Sequence, residues 1–135
     1  MTDILKIIES WGYSIPDEQA RSGFQSYIAE MRSRGRIIEI SDELGPCAYV
    51  FLFLGMSSSF FYKKGLWETP EDFEGGHIAY IDKLVCKRMN LDLRRSIQDA
   101  IETRFPNVVI GVYHRAPKDR QVIVYRRGTK HAVYV

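Results

Sequence analysis

Ten consecutive apolar or small residues, CAYVFLFLGM from Cys47 to Met56, restrict the folds open to this chain more than any other stretch. A helix needs about 20 such residues to cross a bilayer, so this run reads as a buried strand. HIAYIDKLVC, from His77 to Cys86, has a similar character but carries a carboxylate in its middle. Strict alternation places Ile78, Tyr80, Asp82 and Leu84 on one side of that strand, and Ala79, Ile81, Lys83 and Val85 on the other. Both sides are mostly apolar, so the strand is expected at the centre of a sheet with both faces covered.

The remaining elements follow from periodicity. DILKIIESW places Ile4, Ile7, Ile8 and Trp11 on one helical face, with Thr2 as the expected cap and Gly12 as the stop. Pro16, Asp17 and Glu18 suit the first turn of a second helix whose stripe is Ala20, Phe24, Tyr27, Ile28 and Met31, ending at Gly35. Arg36 to Asp42 and Cys47 to Met56 flank ELGP as a hairpin, and WETPED predicts a short capped turn before Gly75 and Gly76. LDLRRSIQDAIETRF, Leu91 to Phe105, is an amphipathic helix stopped by Pro106. Val108 to His114 and Arg120 to Arg127 are two further strands, and TKHAVYV offers a short last one. The order α-α-β-β-β-α-β-β describes an α/β (α+β) mixed sheet with helices packed on it, and no repeat or linker divides residues 1–135 into more than one domain.

Composition excludes disorder: 45% of residues are hydrophobic and 27% charged. Cys47 and Cys86 sit among apolar neighbours, where buried reduced thiols are expected ahead of a disulfide or a reactive thiol. No Cys/His spacing indicates a metal site. The start of the chain carries Asp3 and Glu9 and lacks the basic start of a secretory signal, so a cytoplasmic location and no membrane association are expected. The net charge of +2 conceals an acidic half and a basic half, because 12 of the 19 Lys and Arg residues follow Asp82. A basic half concentrates anionic partners such as phosphates, nucleic acid or an acidic protein, or serves as a solvated face.

A carboxylate in a central strand needs a cation, a hydrogen-bond donor or a wet cleft. Arg36, His114 and Arg120 are the expected partners of Asp82, since alternation turns Lys83 to the opposite face. A buried ion pair that sets strand register and a pocket acid tuned by burial are the two readings. After the strand, Lys87, Arg88 and Asn90 lead into the helix that begins near Leu91, where free backbone N–H groups and Arg94 and Arg95 suit an anion. Asp92 serves the same helix end. His114 is a candidate base or a structural histidine, while Tyr125, with Tyr80 and Tyr113 as competitors, is a candidate acid or a packing aromatic. Ser57 to Ser59 lack a nucleophile elbow, and KDRQVIVYRRGTKH interleaves cations with aromatics in a way that nucleic-acid backbones attract.

This element order, with a strand leading through a basic turn into a helix, resembles the GCN5-related N-acetyltransferase (GNAT) fold. TPEDFEGGHIAYID, with DLRR and Phe105-Pro106, further resembles the toxin-activating lysine acyltransferases of that fold. The resemblance implies that Leu84, Val85 and Cys86 line an acyl-pantetheine arm, that Lys87 to Leu91 form a pyrophosphate turn, and that Asp82 is catalytic. It also implies acyl-CoA or acyl carrier protein as donor and an amine-bearing small molecule or protein as acceptor. CKRMNLDL carries none of the usual turn glycines, and the usual helix between the last strands is missing, leaving only Ala116 to Asp119. These two departures favour the competing expectation of a non-enzymatic module, of phage or mobile-element type, that binds an acidic protein or nucleic acid.

Overall fold

The computed structural model describes residues 3–56, 72–115, 120–127 and 133–134, with the backbone alone at 114–115, 120–126 and 133–134. Within them lie α1 (Ile4–Ser10), α2 (Glu18–Ser33), β1 (Ile37–Asp42), β2 (Gly45–Gly55), β3 (Ile78–Cys86), α3 (Leu91–Arg104), β4 (Ile110–Arg115), β5 (Arg120–Arg126) and β6 (Val133–Tyr134). The strands form one mixed sheet in the order β1-β2-β3-β4-β5-β6. Among the described strands only β3 and β4 run parallel, because α3 carries the chain back between them.

Local chemistry sets the helix ends. Asp3 caps α1, in place of the expected Thr2, by accepting from Lys6 N–H at 3.1 Å. Asp17 caps α2, so Pro16 lies before the cap and not within the first turn. Gly35 follows the end of α2 with φ 71°, a conformation that costs glycine nothing and leaves room for the turn into β1.

The sheet separates two cores. Ile4, Leu5 and Ile8 of α1 and Ile28 and Met31 of α2 pack on Tyr49, Phe51, Phe53, Ile78, Tyr80 and Val85. On the opposite face, Leu93, Ile97 and Ile101 of α3 pack on Ala48, Val50, Leu52, Leu54, Ala79 and Ile81. The apolar run in β2 is thus divided residue by residue between two helical layers.

Arg36 ties this frame together. It is only 5% exposed, and its guanidinium donates to Asp72 Oδ1 at 2.9 Å, Glu74 Oε2 at 2.9 Å and the Arg34 carbonyl at 3.2 Å. The Asp72 carboxylate also accepts from Leu54 N–H at 2.9 Å, so one carboxylate holds both an arginine and the buried end of β2. Phe73 N–H donates to the Leu54 carbonyl, after which Gly76 passes so close to Gly55 that a Cβ there would stand 2.9 Å from its carbonyl oxygen. The chain therefore enters β3 along a fixed line. The turn expected over WETPED lies outside the described residues as far as Glu71.

Asp72→Ala takes the buried partner from the Arg36 guanidinium, leaving it Glu74 and the Arg34 carbonyl, and orphans the Leu54 N–H, and is expected to cost about 3 kcal/mol of unfolding free energy. Glu74→Ala removes a partner that is 87% exposed and is expected to cost less than about 1 kcal/mol. Urea unfolding of both variants against the parent measures the difference.

Candidate functional site

Between β2 and β3 the register shifts: Phe51 faces Lys83, but Leu52 faces Ile81, so Asp82 is a surplus residue on β3. Such a β-bulge resets the pleat. Before it, Ile78 and Tyr80 point to the α1/α2 core and Ala79 and Ile81 to the α3 core; after it, Val85 points to the α1/α2 core and Leu84 and Cys86 pack on the α3 side. The even-odd assignment from uninterrupted alternation therefore fails from residue 83 onward, and Asp82 and Lys83 share a face.

That shared face meets α2. Tyr27 donates its hydroxyl to Asp82 Oδ2 at 2.5 Å, while Lys83 Nζ lies 4.7 Å from the Phe24 ring centroid and 5.6 Å from that of Tyr27. Asp82 thus takes a phenol from the other layer as its partner. Of the partners expected from sequence, Arg36 is committed to Asp72 and Glu74, and the side chains of His114 and Arg120 lie outside the described residues. Tyr27 and Phe24 were legible only as part of a helical stripe, although a tyrosine in such a stripe does carry a polar tip that needs a partner when buried.

The bulge also marks where two strands part. β3 and β4 are paired from Ile78–Ile110 to Ile81–Tyr113, and no further β3–β4 pair follows among the described residues. β3 continues to Cys86 against β2, and β4 continues to Arg115 against β5. Lys87 N–H donates to the Cys47 carbonyl at 2.9 Å, so alternation turns the backbone groups of Cys86 and Leu84 away from β2 and toward the side that β4 has left. Consistent with this, the Cys86 carbonyl accepts from the Tyr13 hydroxyl at 3.4 Å. Of the three residues expected to line one arm, Leu84 and Cys86 face the α3 layer and Val85 the other, which leaves the strand edge as the feature they share.

Beyond β3, Lys87, Arg88 and Asn90 are exposed, as are Leu91, Arg94 and Arg95 on the first turns of α3. Asn90 caps that helix by accepting from Leu93 N–H at 2.8 Å. None of the four cations is ion-paired among the described residues. By contrast, Arg104 donates to the Ile37 and Gly35 carbonyls and Arg127 to the Val108 and Pro106 carbonyls, so these two hold the frame.

The β4 register puts the His114 backbone one residue past the last β3–β4 pair, level with Asp82 across the parting. Tyr125 faces Gly111, which is level with Ala79, so its backbone sits in the closed part of the sheet and two strand spacings, roughly 9–10 Å, from β3. Tyr80 is buried in the α1/α2 core, and Tyr113 packs on the α3 side. His77 lies at the strand entrance, exposed, with its carbonyl accepting from Val109 N–H. The serines at 57–59 and His131 lie outside the described residues. Cys47 and Cys86 are free thiols, each raised chiefly by burial.

An open concavity of about 540 Å³ lies elsewhere, lined by Arg32, Ile37, Glu39, Tyr49 and Arg104 among others. Its polar groups are largely engaged with one another, as in the 2.8 Å bond from Tyr49 to Glu39, and Asp82 does not line it. No group of His, Cys, Asp and Glu suited to a metal ion occurs among the described residues, and no helix there is long and apolar enough to cross a membrane. Comparison with protein-family models, with curated proteins and with solved structures finds no match.

Burial, then the bond to Asp82, raises the Tyr27 phenol well above its ordinary value of 10.0; burial, then the bond to Glu39, does the same for Tyr49, and burial, then the Asp82 charge, for Tyr80. The folded chain keeps these protons above about pH 10 where the unfolded chain loses them, so their contribution is complete below that pH and declines as pH rises. Stability is expected to fall with pH above about 10, and Tyr27→Phe to reduce the slope by up to one proton's worth. Urea unfolding across that range reads the slope directly.

Proposed function

We propose that this protein is a small N-acyltransferase of GNAT-like architecture that moves an acyl group from acyl-CoA or acyl carrier protein to an amine. The observation that carries the reading is the parting of β3 and β4 beside the Asp82 bulge. A pantetheine arm carries amides, and the backbone edge of Leu84 and Cys86, which β4 does not pair among the described residues, is the kind of edge that such an arm extends. Lys87, Arg88, Arg94 and Arg95, free of ion pairs within the described residues, together with the first turn of α3, supply positive potential for the phosphates at the outer end. The same basic surface suits an acidic carrier protein as donor.

In this reading the acceptor nitrogen attacks the thioester carbonyl, the C–N bond forms, the C–S bond breaks and the thiolate takes up a proton. Asp82 orients the acceptor and receives its proton, with the carboxylate itself positioned by Tyr27. His114, level with Asp82 across the parting, is the second candidate base. Tyr125, whose backbone is level with the paired part of β3, remains the proposed acid for the thiolate.

Acetyl-CoA or acyl carrier protein titrated into the protein in a calorimeter is expected to release heat and to raise the melting temperature. Silence with both donors, together with salt-dependent retention on DNA, would favour the non-enzymatic binding module instead. Asp82→Asn keeps an acceptor oxygen for Tyr27, so it is expected to melt as the parent does while turnover falls at least about 100-fold, within the usual range for loss of an acid–base group. Unchanged turnover would remove Asp82 from the chemistry.

A further inference from the structure

Lys83 occupies a position that uninterrupted alternation would have denied it. The bulge brings its ammonium to the α2 face, over two rings arranged edge to face with centroids 6.2 Å apart. Phe51 backs both rings, at 6.2 Å from Phe24 and 5.3 Å from Tyr27, so the pair is held from behind by the core. Among the described residues no carboxylate lies within ion-pairing distance of Lys83 Nζ. The ammonium is therefore held by ring faces while remaining open to solvent. At an exposed site that attraction corresponds to roughly a two- to fivefold bias in an equilibrium, so Lys83 is a weakly retained occupant.

We propose that the Phe24–Tyr27 ring pair, with the Asp82 carboxylate at its rim, is a recognition subsite for a primary alkylammonium group, and that Lys83 is its resident intramolecular occupant. Two features beyond the rings favour this ligand. A primary ammonium already fits the space, and the carboxylate beside it is held in one orientation by Tyr27. A second cation arriving at this face meets the negative faces of two rings and one formal negative charge, whereas a neutral amine or alcohol gains apolar contact and a hydrogen bond without the charge attraction. Displacement of Lys83 costs little because its ammonium passes into water. That the incoming ammonium is the acyl acceptor rests on the acyltransferase reading; its binding does not.

n-Butylammonium is the probe and 1-butanol the uncharged control, with the whole chain examined by NMR in the absence of any acyl donor. In the parent protein, ring currents of Phe24 displace the Lys83 Hε signals, and saturation with n-butylammonium is expected to return them to solvated-lysine positions. Lys83→Met keeps the stem and removes the competitor, so it is expected to bind n-butylammonium about three- to fivefold more tightly than the parent. Phe24→Leu in the Lys83→Met background is expected to lose at least that gain. Lys83 signals that stay fixed at saturating probe, or a Lys83→Met protein that takes up 1-butanol as readily as n-butylammonium, overturns the subsite. Because no thioester is present, loss of acyl transfer with binding intact would defeat only the enzymatic reading.

Discussion

β2 and β3 form the longest ladder of the sheet, and between Phe51 and Leu52 the partner strand takes two steps where β2 takes one. A strand under that mismatch must bend and twist away from its earlier line. The consequences are all local to residue 82: the pleat changes phase, Asp82 and Lys83 arrive on the α2 face together, and the parallel partner β4 is last paired one residue earlier. Regular alternation through Asp82, with no bulge, would place Lys83 toward α3, where Leu93, Ile97 and Ile101 leave a charged group no company.

The bulge is useful only because both of its flanks are fixed. Upstream, the Arg36 guanidinium and the Asp72 carboxylate fasten the approach to β3 against β2, and the absence of a side chain at Gly76 lets that approach lie flat on Gly55. Downstream, Lys87 N–H is bonded to Cys47 and Asn90 caps α3. The stretch between is supported on one edge by β2 and left unpaired by β4 on the other. An edge of this kind, supported on one side only, is the type that extended ligands join in strand-addition recognition.

Much of this architecture was legible in the residues. Helical stripes such as Ile4-Ile7-Ile8 and Leu93-Ile97-Ile101 report burial through a period that depends only on local geometry, and the structure places them within a residue or two of expectation. The centrality of β2 and β3 was equally plain, because strands with apolar residues on both sides need two covering layers. Asp82 stood out for a similarly local reason, a charge where charge is expensive. Its partner did not, since Tyr27 is 55 residues away and reaches it only because α2 crosses that end of the sheet.

The order of elements, the identity of the buried strands and the anomalous carboxylate were thus properties of the chain itself, carried by side-chain period and polarity over stretches of a few residues. Which way Lys83 points, what holds Asp82 and where β4 leaves β3 were decided by tertiary structure. Those outcomes depend on register between strands, and a one-residue difference in register reverses every side chain beyond it while leaving the sequence pattern of each strand unchanged.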